Sequence, residues 1–282
     1  MFQLYAESER GQKQELTNNP AYEIQSIDGL DPPDAILNLY KVAGVDGTAF
    51  NSATLDNRQI TLTIAINHPA EENRNALYRY FQTKRSARLY FSDELKEVYI
   101  DGYVQNITIP FFGKKQLFQV TMICNDPYFH YAVPLEYSFG DGVNPGFEFP
   151  FEIPAGGIEF STLESGSVFE VNNPAGECGI VIRFRASGSV SNPRVFNGDT
   201  DQFIGVTTTM QSGDEIVINT RTGAKSIQLI RGASKTNLIS SRMSGSSWVR
   251  LLPGKNTFSL AAGSGISKLI CIIQIEGEIE GV

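Results

Sequence analysis

Leu117-Phe118-Gln119-Val120-Thr121-Met122-Ile123-Cys124-Asn125-Asp126-Pro127-Tyr128-Phe129-His130 is the stretch on which the reading of the fold turns. In its first half Phe118, Val120, Met122 and Cys124 alternate with Gln119 and Thr121, the two-residue period of a strand with one apolar face. Asn125-Asp126-Pro127 then ends the strand, since proline has no ladder donor and pushes its predecessor toward extended or turn geometry. Tyr128, Phe129 and Tyr131 follow as a bulky anchor. Upstream, strands are mixed with one helix; downstream, short strands alternate with glycine turns. The stretch therefore predicts the last strand of a first domain, residues 1–130, leading into a second, residues 131–282.

The first domain reads as a small antiparallel sheet with one helix. Residues 21–27 and 36–42 predict two strands, separated by the turn formers Asp28-Gly29-Leu30-Asp31-Pro32-Pro33-Asp34. Aspartate is what turns select, and Pro32-Pro33 leaves little room to wrap an ion, so no metal loop is expected there. Residues 43–58 form a long excursion of small residues with Val45, Phe50 and Leu55 as isolated apolar anchors. Connections longer than about 12–15 residues are usually functional or disordered. Such an arm either lies on a neighbouring subunit or folds over its own sheet. Ile60-Thr61-Leu62-Thr63-Ile64-Ala65-Ile66 is a strand with one aliphatic face. Pro69 then opens a helix over about residues 69–82, with Glu71 and Glu72 at its positive end and Leu77 and Phe81 on one face. Strands near 88–91, 98–109 and 116–124 complete the unit, the last two joined by a hairpin at Phe111-Phe112-Gly113-Lys114-Lys115.

In the second domain, residues 131–160 read as an extended crossing rich in proline, glycine and aromatics. Strands are then expected at 168–171, 178–186, 194–197, 203–206, 215–220, 226–231, 248–251, 256–260 and 269–276. Regular short strands between glycine turns indicate a β-sandwich or jelly roll. The fold class is mainly β.

The chain has 282 residues, 41% hydrophobic and 19% charged, with a formal net charge of −8. It is long enough for two cores and too apolar for disorder. No block of lysines or arginines marks a dedicated nucleic-acid binder. Residues 1–10 show no basic segment followed by an apolar core, so no signal peptide is expected, and no apolar run is long enough to span a bilayer. Cys124, Cys178 and Cys271 stand apart beside apolar strands and predict buried thiols in a protein made in a reducing cytoplasm.

Chemistry-bearing constellations do not emerge. His68 and His130 lack a third ligand or a nucleophile motif. Asn197-Gly198-Asp199-Thr200-Asp201 opens like a calcium loop, but Thr208 stands where a bidentate glutamate belongs. Gly254-Lys255 lacks the earlier glycine of a phosphate loop. Asn106-Ile107-Thr108 is a formal glycosylation sequon within a strand. Trp248 is either a sugar-stacking residue or a packing residue, and packing is the favoured reading. No catalytic residue, cofactor or metal site is assigned.

Several pieces in order along the chain carry a resemblance. They are the excursion from Val45-Asp46-Gly47 to Asp56-Asn57-Arg58, the strand 60–66, the helix 72–81 and Cys124-Asn125-Asp126-Pro127-Tyr128-Phe129. Further on come Gly213-Asp214-Glu215-Ile216-Val217-Ile218-Asn219-Thr220, Gly223-Ala224-Lys225 and Trp248-Val249-Arg250-Leu251-Leu252-Pro253-Gly254-Lys255-Asn256. Together they resemble the distal tail protein (Dit) family of long, non-contractile phage tails. The resemblance implies a tail-tube-like ring domain over residues 1–130, closing as a homo-hexamer around the DNA channel, with residues 43–58 as the arm embracing the next subunit. It implies a galectin-like sandwich for the second domain, which in some members holds receptor-binding proteins. It further implies a virion component with the tail tube protein above and a tail-associated lysin below, and no active site. An acidic wall would let DNA pass without sticking. The competing reading is a carbohydrate-binding module for cell-surface polysaccharide.

Overall fold

The computed structural model describes residues 2–94, 96–110, 116–140, 144–145, 161–162 and 168–282. The expected hairpin at 111–115 and most of the expected crossing at 131–160 lie outside the described residues. The chain divides into two compact units, one of residues 1–133 with 278–282 and one of residues 134–277.

In the first unit the strands are β1 (Gln3–Ser8), β2 (Lys13–Glu15), β3 (Tyr22–Asp28), β4 (Ala35–Tyr40), β5 (Ala49–Leu55) and β6 (Arg58–Ile66). Helix α1 (Ala70–Tyr80) precedes β7 (Ser86–Ser92), β8 (Glu97–Thr108), β9 (Gln116–Cys124) and β10 (His130–Tyr131). The main sheet is antiparallel, in the order β2-β1-β7-β8-β9-β6-β3, with β10 added to β8. Its register explains the alternation read in the sequence. Ile60 faces Met122, Leu62 faces Val120 and Ile64 faces Phe118, so one face of neighbouring strands is apolar and buried. A one-residue slip would turn that whole set to solvent.

Helix α1 covers this face. Leu77 and Phe81 are fully buried, Phe81 lies 6.2 Å from the Phe118 ring, and Tyr78 meets Phe118 edge-on at 5.6 Å. The helix ends at Tyr80, two residues earlier than the pattern suggests. Phe81 leaves it in extended geometry, its N–H still bonded to the Leu77 carbonyl, and stays in the core. Arg88, a few residues beyond the helix, belongs to β7, where it pairs with Asp101.

The second unit is a β-sandwich. One sheet orders the strands 135–140, 269–275, 181–186, 215–219, 226–231 and 234–237; the other orders 168–173, 254–261, 194–197 and 202–205. Ile182, Phe184, Cys271 and Ile273 from the first share one core with Val195, Phe258 and Leu260 from the second. Two elements differ from the sequence reading. Leu135–Gly140, expected within an extended crossing, is an edge strand on Leu269–Ile275. Its burial pattern alternates, but its surroundings of proline and glycine obscure that period. Residues 278–282, expected in the second domain, belong to the first unit. They pair with it through Ile279 and Phe129, which exchange both backbone hydrogen bonds at 2.9 and 3.0 Å.

Candidate functional site

The feature that stands apart from both cores is the hairpin of β4 and β5. The two strands pair only with each other, from Ala35 opposite Leu55 to Tyr40 opposite Ala49, with a bulge after Asn38. Every residue of β4 is exposed. The sequence reading differs here: it places 36–42 in the main sheet and leaves 43–58 as an excursion without strands. In fact the arm is longer, residues 35–55, and Arg58 already belongs to β6. The small residues of Ala49-Phe50-Asn51-Ser52-Ala53-Thr54-Leu55 have weak strand preference, so it is the cross-strand pairing that makes them a strand.

This arm is apolar on both faces. Ile36 and Tyr40 point to one side, Leu37 to the other, and Leu39, Val42, Val45 and Phe50 complete the set. Each is between 47% and 66% exposed. Charge on it is sparse: Lys41 and Asp46 lie in the connecting turn. An isolated two-stranded hairpin is marginal in water, and a contiguous apolar surface of this kind marks a contact site. Among the described residues, β4 and β5 pair with no other strand of the unit.

The root of the arm, by contrast, is held firmly. Arg58, 3% exposed, donates from Nη1 to the carbonyls of Gly29 and Asp31 at 2.7 and 2.8 Å. Its Nε donates to the carbonyl of Pro127 at 2.7 Å, and its Nη2 to that of Glu280. The guanidinium also lies 4.7 Å above the Phe129 ring. One side chain thus ties together the loop leading into the arm, the chain leaving β9 and the returning residues 278–282. Burial pulls the proton affinity of Arg58 down, opposed by the nearby Cys124, Glu280 and Asp31. Arginine is suited to this place because its planar fork carries five donors and keeps its charge when buried. Gly29 completes the root. Its φ is +91°, and a Cβ there would stand 2.1 Å from the Gln59 carbonyl oxygen.

The residues weighed for chemistry are dispersed or structural. His130 Nε2 lies 3.1 Å from Asp126 Oδ2, and its ring is 5.6 Å from Tyr99. His68 is exposed beside Pro69. Asn197 Oδ1 accepts from the Asp199 N–H at 3.0 Å and Asp199 accepts from the Thr257 N–H, so the calcium-like stretch is a pinned polar turn. Lys255 pairs with Glu170, and Asn106 donates to Thr108. Trp248 packs against the second core, with Lys225 and Arg242 5.7 and 5.4 Å from its ring. Cys124, Cys178 and Cys271 are all buried and free. Burial pushes the Cys124 thiol up to about 12 and the Cys271 thiol well above its ordinary value. Among the described residues no group of histidine, cysteine, aspartate and glutamate could hold a metal ion, and no helix is long and apolar enough to cross a membrane.

Sequence reasoning missed Arg58 as the clasp. The one signal was an arginine opening an aliphatic strand, Arg58 before Ile60, Leu62 and Ile64. Its partners are backbone carbonyls, which carry no sequence signature.

Two family descriptions match the chain. Residues 9–124 match the phage tail protein RIFT-related domain, and residues 175–269 match the siphovirus-type tail component, C-terminal domain. Among solved structures the chain is similar to the Dit protein (gp 19.1) of phage SPP1, described as a paradigm of the hub adsorption apparatus in phages infecting Gram-positive hosts. That match has a TM-score of 0.65 and 15% identity, and covers 98% of each chain. It is also similar to a chain of the phage P2 baseplate in its activated conformation, with a TM-score of 0.55 in the form with Ca and 0.54 in that with Sr. Both show 14% identity and cover 100% of each chain. At these identities the likeness is one of fold. No curated protein matches the chain in sequence.

Proposed function

Because this chain belongs to the siphophage distal tail (Dit) family, with a tail-protein domain over residues 9–124 and a tail-component domain over 175–269, we propose that it forms a hexameric ring at the tail tip. It is a structural hub of the tail and baseplate. In this reading the first domain closes head to tail around the DNA channel, joined to the tail tube on one side and to the tail-tip or tail-associated lysin protein on the other. The galectin-like second domain faces outward, where it offers a platform for receptor-binding proteins. The protein resides in the virion tail after assembly in the host cytoplasm, and its role is architectural, with no catalytic step assigned to any residue.

The observation that carries the ring is the free apolar arm, Ala35–Leu55. Fully burying one aliphatic or aromatic side chain stabilises by about 1.5–3 kcal/mol. Seven such residues, each about half exposed, therefore hold roughly 5–10 kcal/mol of gross burial energy in reserve before association costs. A neighbouring copy of the same chain is the partner always present when the arm folds. A closed ring needs such a heterologous contact, one patch of each copy meeting a different patch of the next. For a permanent assembly each contact should bury upward of about 2,000 Å².

Electron microscopy of the purified chain tests this directly. Class averages showing six-fold rings with a central opening are expected. Open filaments or two-fold particles at all concentrations would contradict the closed ring. The carbohydrate-binding alternative rests on Trp248, which is partly buried against the second core; galactoside binding lost in Trp248→Ala would support it, and no binding to a glycan panel would count against it.

A further inference from the structure

At the turn between β1 and β2, against the carboxyl end of α1, lies a polar hollow of about 340 Å³. Arg10, Arg79 and Arg85 line it, together with Glu9, Tyr80 and Gln82. Glu9 answers Arg85 at 3.3 Å. Arg10 and Arg79 form no ion pair among the described residues, and Lys84 adds a further cation in the turn after the helix. The hollow is thus strongly positive in a chain of net charge −8. It also borders the last turn of α1, where a basic Arg79 is already favoured by the helix dipole.

The opposite charge stands exposed elsewhere in the same unit. Asp28 ends β3, and Asp31 and Asp34 lie on the loop that follows it into the arm, all three solvent-exposed and without an ion pair among the described residues. Their loop is held rigidly from beneath by Arg58, which bonds the Gly29 and Asp31 carbonyls and leaves the carboxylates outward. The two features cannot meet within one copy. The hollow sits at the Ser8 and Ser86 ends of β1 and β7. The arm root adjoins Phe129, which packs on Phe91 at 5.6 Å, and Phe91 on Phe2 at 5.9 Å, at the other ends of those strands. The six residues of β1 between them span roughly 20 Å.

We propose that the Asp28–Asp34 loop of one copy docks into the arginine hollow of the next copy in the ring. This inference rests on the ring reading and specifies its register. The arm supplies apolar area without direction, whereas paired charges fix which surface meets which and suppress other dockings. The acidic loop is continuous with the arm, so a copy that lays its arm on its neighbour carries the loop with it. The basic hollow is a concave, positively lined surface of the same unit, and carboxylates are the groups it suits.

A complementation experiment decides the point. One variant carries Asp28→Lys, Asp31→Lys and Asp34→Lys; the other carries Arg10→Glu and Arg79→Glu. Each alone presents like charges at every contact. An equimolar mixture restores opposite charges at every contact of an alternating ring. Light scattering at moderate salt is expected to show each variant below the wild-type mass and the mixture at it, with circular dichroism unchanged in both. The milder set Asp28→Asn, Asp31→Asn and Asp34→Asn should give a ring that dissociates at lower salt than wild type. Variants that each assemble as well as wild type, or a mixture that stays unassembled while wild type forms rings, would overturn the proposal. A monomeric wild type would instead overturn the ring reading on which it rests.

Discussion

Replacing Arg58 by methionine keeps most of the side chain's volume and removes all of its donors. Four carbonyls lose a partner: Gly29, Asp31, Pro127 and Glu280. A hydrogen bond to a charged group contributes about 1.5–3 kcal/mol, which would put the sum at about 6–12 kcal/mol if the four were independent. They are not. The Gly29 and Asp31 carbonyls belong to a partly exposed loop and regain water once it loosens. The methionine also escapes the desolvation that pulls on the guanidinium. A net loss of about 2–6 kcal/mol is expected, since leaving a buried carbonyl unpaired costs about 1–3 kcal/mol and only two of the four, Pro127 and Glu280, stay without water. Arg88→Met is the internal comparison. Arg88 makes a two-pronged pair with Asp101 at 2.7 and 2.8 Å, but on the exposed face of the sheet. Such exposed pairs are worth roughly 0.2–1 kcal/mol. Hydrogen exchange at the Ile279 and Val282 amides, which bond Phe129 and Leu30, reports the clasp directly, and urea unfolding of the first domain reports its global effect. If Arg58→Met moved neither more than Arg88→Met does, the clasp would be an incidental contact and the reasoning would fail.

Three further outcomes follow from the same geometry. Gly29→Ala should destabilise the first domain by at least about 2 kcal/mol, because the new Cβ meets the Gln59 carbonyl oxygen and φ is positive; a neutral thermal midpoint would refute this. In the second domain Arg231, donating to Asp214 at 2.8 Å from Nε, holds the nearly inaccessible Asp214 carboxyl below its ordinary value. A depressed folded-state pKa stabilises above the unfolded value and is lost as pH falls through the folded one. Asp214→Asn should therefore lower the urea midpoint at neutral pH, and its gap to wild type should close below the ordinary aspartate range; a pH-independent gap would contradict the pairing. Finally, Cys124 and Cys271 should resist a disulfide reagent at pH 8 in the native state and react in denaturant, since burial raises both thiols; stoichiometric native labelling would show that these strands open readily.

The sequence disclosed what periodicity encodes. The alternation of Phe118, Val120, Met122 and Cys124 marks a central strand with one buried face, and the structure buries all four. The Leu77 and Phe81 pair identifies the helix face that covers it. What stayed hidden depends on contacts far apart in sequence. Ile36 to Tyr40 is as apolar as any core strand, and nothing local says that it pairs with the small residues 49–55 and stands free of the main sheet. The return of residues 278–282 is invisible because Ile279 makes a single bridge, too short for a period. Arg58 was passed over because carbonyls of residues 29, 31, 127 and 280 leave no mark on one another in sequence. The apolar arm is therefore half legible: its position near Val45 and Phe50 can be read, its length and its anchorage cannot.

Solution mass by light scattering, on the wild-type chain and on a variant with Leu39→Ser and Phe50→Ser, tests the central claim most directly. Both residues are more than half exposed and lie outside the core, so the variant should fold and unfold in urea like wild type. The account predicts six times the 31.0 kDa chain mass for wild type at micromolar concentration and the monomer mass for the variant. Equal masses for the two, whether both assembled or both monomeric, would contradict it, since the apolar arm would then have no part in holding copies together.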